Sequence, residues 1–261
     1  MPMPYLPAHA KRELDFPGTL ARGASGIKAR RVLEWLTFHR CATAMDGSFG
    51  PATAAALRAF QSQVGLSETG QVDEDTWGAL VNPLRQALST AVAPDATLDT
   101  AVLRVAQAHL LQHPLELGGD NCGPWVRVYC GGNDGPEWRW CAGFVTFILR
   151  QACNALNRSM PIPGSYSCDS LAYQARQNQL FVPGKSVEDG TTSWGNLGQC
   201  QIFLVRQSPT NWIHTGLGFN NSDEVFSTIE GNTNDEGSAN GYEVCRRTRS
   251  LAKKDFIVIP P

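Results

Sequence analysis

Apolar positions recur along this chain in two rhythms. Between residues 20 and 81 they repeat every three or four residues in short stretches. Ala29, Val32, Leu33 and Leu36 share one helical face, and Leu57, Phe60 and Val64 share another. Ser25 opens the first stretch, and Pro51 fits the first position of the second helix, where a missing N–H costs nothing. Gly65 reads as the stop. Asp73 can cap a third helix, with Val72 and Trp77 spaced to staple its first turn. Two loops echo each other, Gly47-x-Phe49-x-x-x-Thr53 and Gly70-x-Val72-x-x-x-Thr76, each predicting a tight glycine turn and an inward apolar residue ahead of a helix. Further helices are predicted from Leu98 (with Val102, Val105, Ala106 and Leu110 on one face), from Cys141 to about Leu156, and over 169–177. After residue 198 the period becomes two, and segments 200–206, 212–219, 224–230, 242–247 and 255–259 read as strands. Helices followed by a strand meander predict an α+β domain with an antiparallel sheet.

The organisation that follows is a proline-rich tail or strap (1–19), a small helical domain (20–81), a linker with Pro83 and Pro94 (82–96), and a main domain (97–261). With 22 basic and 24 acidic side chains the net charge is −2, which argues against nucleic acid and against polybasic membrane attachment. The longest apolar run, 140–149, is half of the roughly 20 residues that a spanning helix needs. No continuous apolar stretch follows Met1-Pro-Met-Pro, so no secretory leader is expected. None of the eight cysteines forms a CxxC pair, and seven lie beyond residue 120, a density that hints at disulfides. The chain is expected to be a monomer without a cofactor.

Cys141 sits at the predicted N-terminus of a buried helix, where unpaired N–H groups and the helix dipole favour a thiolate. The competing reading is a small buried hydrophobe. His214 lies in the segment Trp212-Ile-His-Thr-Gly-Leu-Gly-Phe219, and the turn Asn220-Asn-Ser-Asp223 leads to the next strand. If that hairpin is centred on Ser222, His214 stands opposite Glu230, and Asn232 shares their face. Ile213, Leu217, Phe219, Val225 and Ile229 then fall on the other face as core, while Gly216 and Gly218 leave room for a helix on the histidine's side. A thiolate, an imidazole and a polar group that orients it match the logic of cysteine hydrolases; either Glu230 or Asn232 can be the orienting group.

Asn121-Cys-Gly-Pro-Trp-Val126, Tyr129 and Trp140-Cys-Ala-Gly-Phe-Val145 resemble the nucleophile region of CHAP amidases, in the NlpC-like branch of papain-fold hydrolases. His214-Thr-Gly, Thr228-Ile-Glu-Gly-Asn232, Gly241 and the run Arg246-Arg-Thr-Arg249 resemble that family's second half, so the likeness spans about 98–260. It implies a papain-like domain whose antiparallel sheet packs on the nucleophile helix, with Cys141 as nucleophile, His214 as base, and Glu230 and Asn232 as orienting groups. Asn121, Tyr129 and Trp140 become candidates for contact with substrate, Asn121 or Tyr129 helping the Cys141 N–H to hold an oxyanion. The strand after Gly198 departs from the family's usual Gly-Asp start and reads Gly198-Gln-Cys-Gln-Ile202. Residues 20–81 resemble the three-helix peptidoglycan-binding domain through Leu20-x-x-Gly23, Asp46-Gly-Ser-Phe-Gly50, Thr53, Phe60-Gln61, Gly65-Leu66, Gly70 and Thr76-Trp77, although Glu34-Trp35-Leu36 replaces the usual glutamine of the first helix.

Together the two likenesses imply a peptidoglycan hydrolase that cuts the muramoyl-L-alanine amide or a bond of the peptide stem, with wall binding raising the local substrate concentration. The rival reading is a wall-binding or partner-binding protein without catalysis. Work in the wall or periplasm without a leader implies release by phage lysis or delivery by a specialised secretion machine. An injected toxin would need an immunity protein plugging the Cys141 cleft. Other features read as structural. His109 and His113 lack the glutamate of a zinc protease and are expected to be solvated or capping, and no metal site is expected. Gly131-Gly-Asn-Asp-Gly-Pro136 has too few carboxylates for calcium. Arg246–Arg249 reads as a solvated strand end that could also meet acidic stem groups. A free Cys141 leaves seven cysteines; with Cys41 alone in the first domain, six remain that could pair.

Overall fold

Residues 6–222, 224–234 and 241–261 are described by the computed structural model; Asp223 of the expected hairpin turn and the first five residues of the expected tail lie outside them. The stretch read as a tail or strap carries helix α1 (Ala8–Leu14), which buries Ala10, Glu13 and Leu14. The Trp77 indole N–H donates to the Leu14 carbonyl at 2.9 Å, and a His9 ring nitrogen meets the Val128 carbonyl at 3.1 Å, so the segment straps the two halves of the chain together.

Helices α2 (Ile27–Phe38), α3 (Pro51–Gln63) and α4 (Glu74–Leu80) form the small helical unit. Ala29, Val32, Leu33, Leu36, Leu57 and Phe60 are fully buried, each large side chain contributing about 1.5–3 kcal/mol. Val64, expected on the same stripe, follows the last turn of α3 and is 44% exposed. Asp73 caps α4 by accepting the Thr76 N–H at 2.8 Å. The two echoing loops are structurally alike: Gly47 and Gly70 both have left-handed backbone, φ 70° and 67°, and Phe49 and Val72 both point inward. The buried Gln61 amide clamps the second loop, donating to Thr69, the Gln71 carbonyl and Thr76 and accepting from the Gly70 N–H.

The stretch read as a linker is in part core. Helix α5 (Asn82–Leu88) buries Leu84, Ala87 and Leu88, leaving a connection only over 89–97. Then follow α6 (Leu98–Leu111), α7 (Pro124–Tyr129), α8 (Cys141–Ala155), α9 (Cys168–Gln177) and α10 (Gly184–Glu188). The strands are β1 (Phe181–Val182), β2 (Cys200–Ser208), β3 (Asn211–Phe219), β4 (Val225–Thr233), β5 (Glu243–Ser250) and β6 (Lys254–Val258), in the sheet order β1-β6-β2-β3-β4-β5 with antiparallel neighbours throughout. The chain is thus α+β, a helical N-terminal part followed by an antiparallel sheet with helices packed on it. Ile202, Leu204, Leu217, Phe219 and Ile229 on one face of the sheet join the main core with Phe144, Val145 and Ile148 of α8, and Phe203, Phe226, Phe256 and Leu197 form a smaller core on the other. Ile213 and Val225 were expected in the main core but lie toward the strand ends, 48% and 41% exposed. All eight cysteines are free thiols, so the density of cysteines does not reflect a disulfide framework here. Among the described residues no helix is long and apolar enough to cross a membrane.

A buried ion network ties the helical unit to the main domain. Arg127 of α7 binds Glu34 of α2 at 2.6 Å, Glu13 of α1 at 2.9 Å and Asp134 at 2.8 Å. Glu13 and Glu34 are additionally met by Arg31 and Arg30. Beside it, Trp125 packs edge-on against Trp35, ring centroids 6.3 Å apart. Asp134, the one carboxylate of the 131–136 turn, is held by Arg127 and by the Gly123 N–H, so it serves this network. Arg127→Met would leave Glu13 and Glu34 buried without their shared partner and should lower stability by about 3–5 kcal/mol in urea unfolding at pH 7. Lys11→Ala, at the exposed Lys11–Asp15 pair, should change it by less than about 1 kcal/mol.

Candidate active site

Cys141 is the first residue of α8, where backbone N–H groups have no partner within the helix. The helix starts there because Trp140 is held on both its main chain and its side chain. The Trp140 N–H donates to Asn232 Oδ1 at 3.2 Å, and its indole N–H donates to Glu116 Oε1 at 2.8 Å. Burial pushes the Glu116 pKa up, against the pull of the Trp140 indole N–H and the Asn121 backbone N–H.

The β3–β4 ladder runs from Phe219↔Ser227 through Gly218↔Thr228 to Leu217↔Ile229 and ends there. The next pairs in that register would be Gly216↔Glu230 and then Thr215↔Gly231. Instead α8 wedges its start against the ladder's end: a side chain at Gly231 would lie 2.8 Å from both Phe144 and Trp140, and the Thr215 N–H reaches the Cys141 sulfur. The close approach that requires glycine is therefore at Gly231. Gly216 and Gly218, read as room for a helix, face Phe203, Glu230 and Phe226 on their own side of the sheet.

The observed register lies two residues beyond the one centred on Ser222, so Glu230 falls beside Gly216 and not opposite His214. A slip of two preserves the faces, and the pair still meets diagonally: His214 Nε2 is 2.8 Å from Glu230 Oε2. Asn232 leaves that face. A bulge between Glu230 and Thr233 and a left-handed backbone at Asn232, φ 55°, turn its amide toward α8, where it binds Trp140, the Gly241 carbonyl and Asn121. Of the two candidates for orienting His214, Glu230 makes the contact.

Glu230 has no exposed surface. Besides His214 it is met by Arg249 Nε at 2.8 Å and Nη2 at 2.6 Å, a two-pronged grip, and by the Thr228 hydroxyl at 2.6 Å. Burial works against its charge, but Arg249 and His214 outweigh it and hold the pKa at about 2. Arg249 is thus not the solvated strand end read from the basic run. Arg247 is engaged too, with Thr233 and the Asn234 carbonyl, and Arg246 lies over the Phe219 ring. Burial also works against the charge of His214, yet hydrogen bonds to Cys141 and Glu230 raise its pKa to about 9. The Cys141 thiol is held well below the usual cysteine range by a hydrogen bond from Cys168, against burial and with help from His214 and the Thr215 N–H. The shifts favour a thiolate beside an imidazolium, backed by a buried carboxylate.

Asn121, Tyr129 and Trp140 do not line a path for substrate; all three are buried and bonded inward. Asn121 braces Asn232 and the Pro136 carbonyl. Tyr129 stacks on Trp140 at 5.5 Å, and its hydroxyl meets His109 Nδ1 at 2.9 Å. His109 was expected to be solvated or capping, but it is fully buried. Its Nε2–H donates to Gln151 Oε1, whose amide donates to the Ala87 carbonyl, and burial pushes its pKa down to about 4. Among the described residues no cluster of histidine, cysteine and acidic side chains could hold a metal ion. Sequence reasoning missed Glu116, Thr228, Arg249 and Cys168. Only Arg249 carried a signal, its alternation along a strand adjacent to that of Glu230.

The His214 imidazole protons should titrate by NMR near pH 9. Since the raised value reflects the Cys141 sulfur and, after it, the Glu230 carboxylate, Glu230→Gln should bring it down by about 1 unit, whereas Asn232→Ala should leave it in place.

The family described as "Putative peptidoglycan binding domain" matches residues 23–80, the unit built by α2, α3 and α4. No curated protein matches the chain. The match points to a cell-wall-associated protein with peptidoglycan as a partner, carrying the Cys141 arrangement in the part of the chain that follows.

Proposed function

We propose that the chain is a peptidoglycan hydrolase that cleaves an amide bond of the wall peptide, either the muramoyl-L-alanine bond or one within the stem, by a thiolate mechanism. The observation that carries this reading is the Cys141–His214–Glu230 alignment at the start of a buried helix. The peptidoglycan-binding domain supports the choice of polymer. The likeness of 98–260 to CHAP amidases supports a papain-like reading of a helix whose first residue bears the sulfur against an antiparallel sheet.

In this mechanism the Cys141 thiolate attacks the amide carbon, and the oxyanion that forms meets N–H groups at the start of α8, that of Cys141 first among them. Collapse breaks the C–N bond as the His214 imidazolium passes its proton to the departing amine. The neutral imidazole then takes a proton from water, which attacks the thioester. The acid product leaves, and the thiolate–imidazolium pair is restored. Glu230, held by Arg249 and Thr228, keeps one ring nitrogen occupied so that the other faces the sulfur. A cell that made such an enzyme beside its own wall would be protected by an inhibitor capping the Cys141 groove.

Wild-type protein incubated with purified sacculi should release soluble fragments whose masses name the bond. Cys141→Ala should release none, and His214→Ala should release them at least about a hundredfold more slowly. Absence of release from wild type and variants alike would leave a wall-binding protein without catalysis.

A further inference from the structure

Cys168, the first residue of α9, places its sulfur 3.9 Å from that of Cys141. Both side chains are buried, 8% and 6% exposed, so the Cys168 thiol meets the other sulfur in a pocket nearly closed to water. Two sulfurs this close do not both carry charge, because like charges at short range in a poorly solvated site disfavour each other. Their surroundings decide which one does. Cys141 faces the His214 ring and the Thr215 N–H. Cys168 is followed by Asp169, whose carboxylate is fixed nearby by the Trp212 N–H at 2.6 Å and the Asn211 amide at 3.1 Å. The negative charge therefore belongs on Cys141 and the proton on Cys168.

We propose that Cys168 is a positioning residue of the reaction described above, and this rests on that reading: its S–H donates to the Cys141 sulfur, holding the thiolate in place before attack. The same donor meets the charge again when it returns to sulfur as the thioester is hydrolysed. No proton leaves Cys168 in either step. The pKa values run the same way, with Cys168 raised well above the ordinary thiol range by its bond to Cys141 and by burial.

The test is the pH dependence of iodoacetamide alkylation in the full chain, followed at Cys141 by peptide mass spectrometry. Arg139, Arg150 and Arg158 place Cys141 and Cys168 on separate tryptic peptides, so each is read alone. Cys168→Ala, and Cys168→Val as a second variant that fills the volume without a donor, should move the Cys141 midpoint upward by about one pH unit, a roughly tenfold smaller thiolate fraction below it. Cys168→Ser, whose hydroxyl donates in the same place, should restore most of the shift. Midpoints for the donor-less variants that coincide with wild type would overturn the proposal, as would a serine variant no different from alanine. Sacculi incubated in parallel separate the two ideas. Inert wild-type protein that still shows the shift and its rescue would sink the hydrolase reading and leave the sulfur–sulfur contact standing.

Discussion

A carboxylate without access to water governs the centre of this molecule. Burying an unpaired charge costs several kcal/mol, so Glu230 can stay ionised only if the strands around it supply compensation. They do so from three directions: Thr228 two residues back on its own strand, Arg249 from β5 and His214 from β3. That requirement joins three strands at one point and fixes the imidazole with one nitrogen bound and the other free to face Cys141. The positive charge of Arg249 also keeps Glu230 from holding the proton that His214 carries.

A second constraint acts from the helix side. The β3–β4 ladder stops after Leu217↔Ile229, and the start of α8 packs against Gly231, two residues further along β4. Trp140 anchors that start by both its main chain and its indole, through Asn232 and Glu116, and Tyr129 stacks on it from beneath. The residues with the most sequence prominence near Cys141 therefore work as scaffolding: they decide where its sulfur stands.

Alternation made the sides of β3 and β4 legible, and with them the company of His214 and Glu230. It could not settle the register, because a slip of two residues leaves every side chain on its own face. Nor could it foresee that a bulge and a left-handed residue would take Asn232 out of the pattern. The helices that escaped the reading, α1, α5, α7 and α10, span five to seven residues, too few for a periodicity of 3.6 to show. The longest-range features left no local trace. Glu13 and Arg127 are 114 residues apart, and neither gives a sign of the other. His109 stands on the same stripe of α6 as Val102, Val105 and Ala106, but a histidine there reads as core only once Tyr129 and Gln151 are seen to meet its two ring nitrogens.

The bracing of the wall-binding unit has a mechanical outcome. Its helices are welded to the other domain through Arg127, through the Trp35–Trp125 contact and by α1 laid across both. Such an anchor is no leash. The span from the peptidoglycan-binding-like unit to the Cys141 sulfur is set by the fold, as between the jaws of a caliper, so under the proposed function a docked molecule would address one locus of its polymer and reach the next by letting go and landing again.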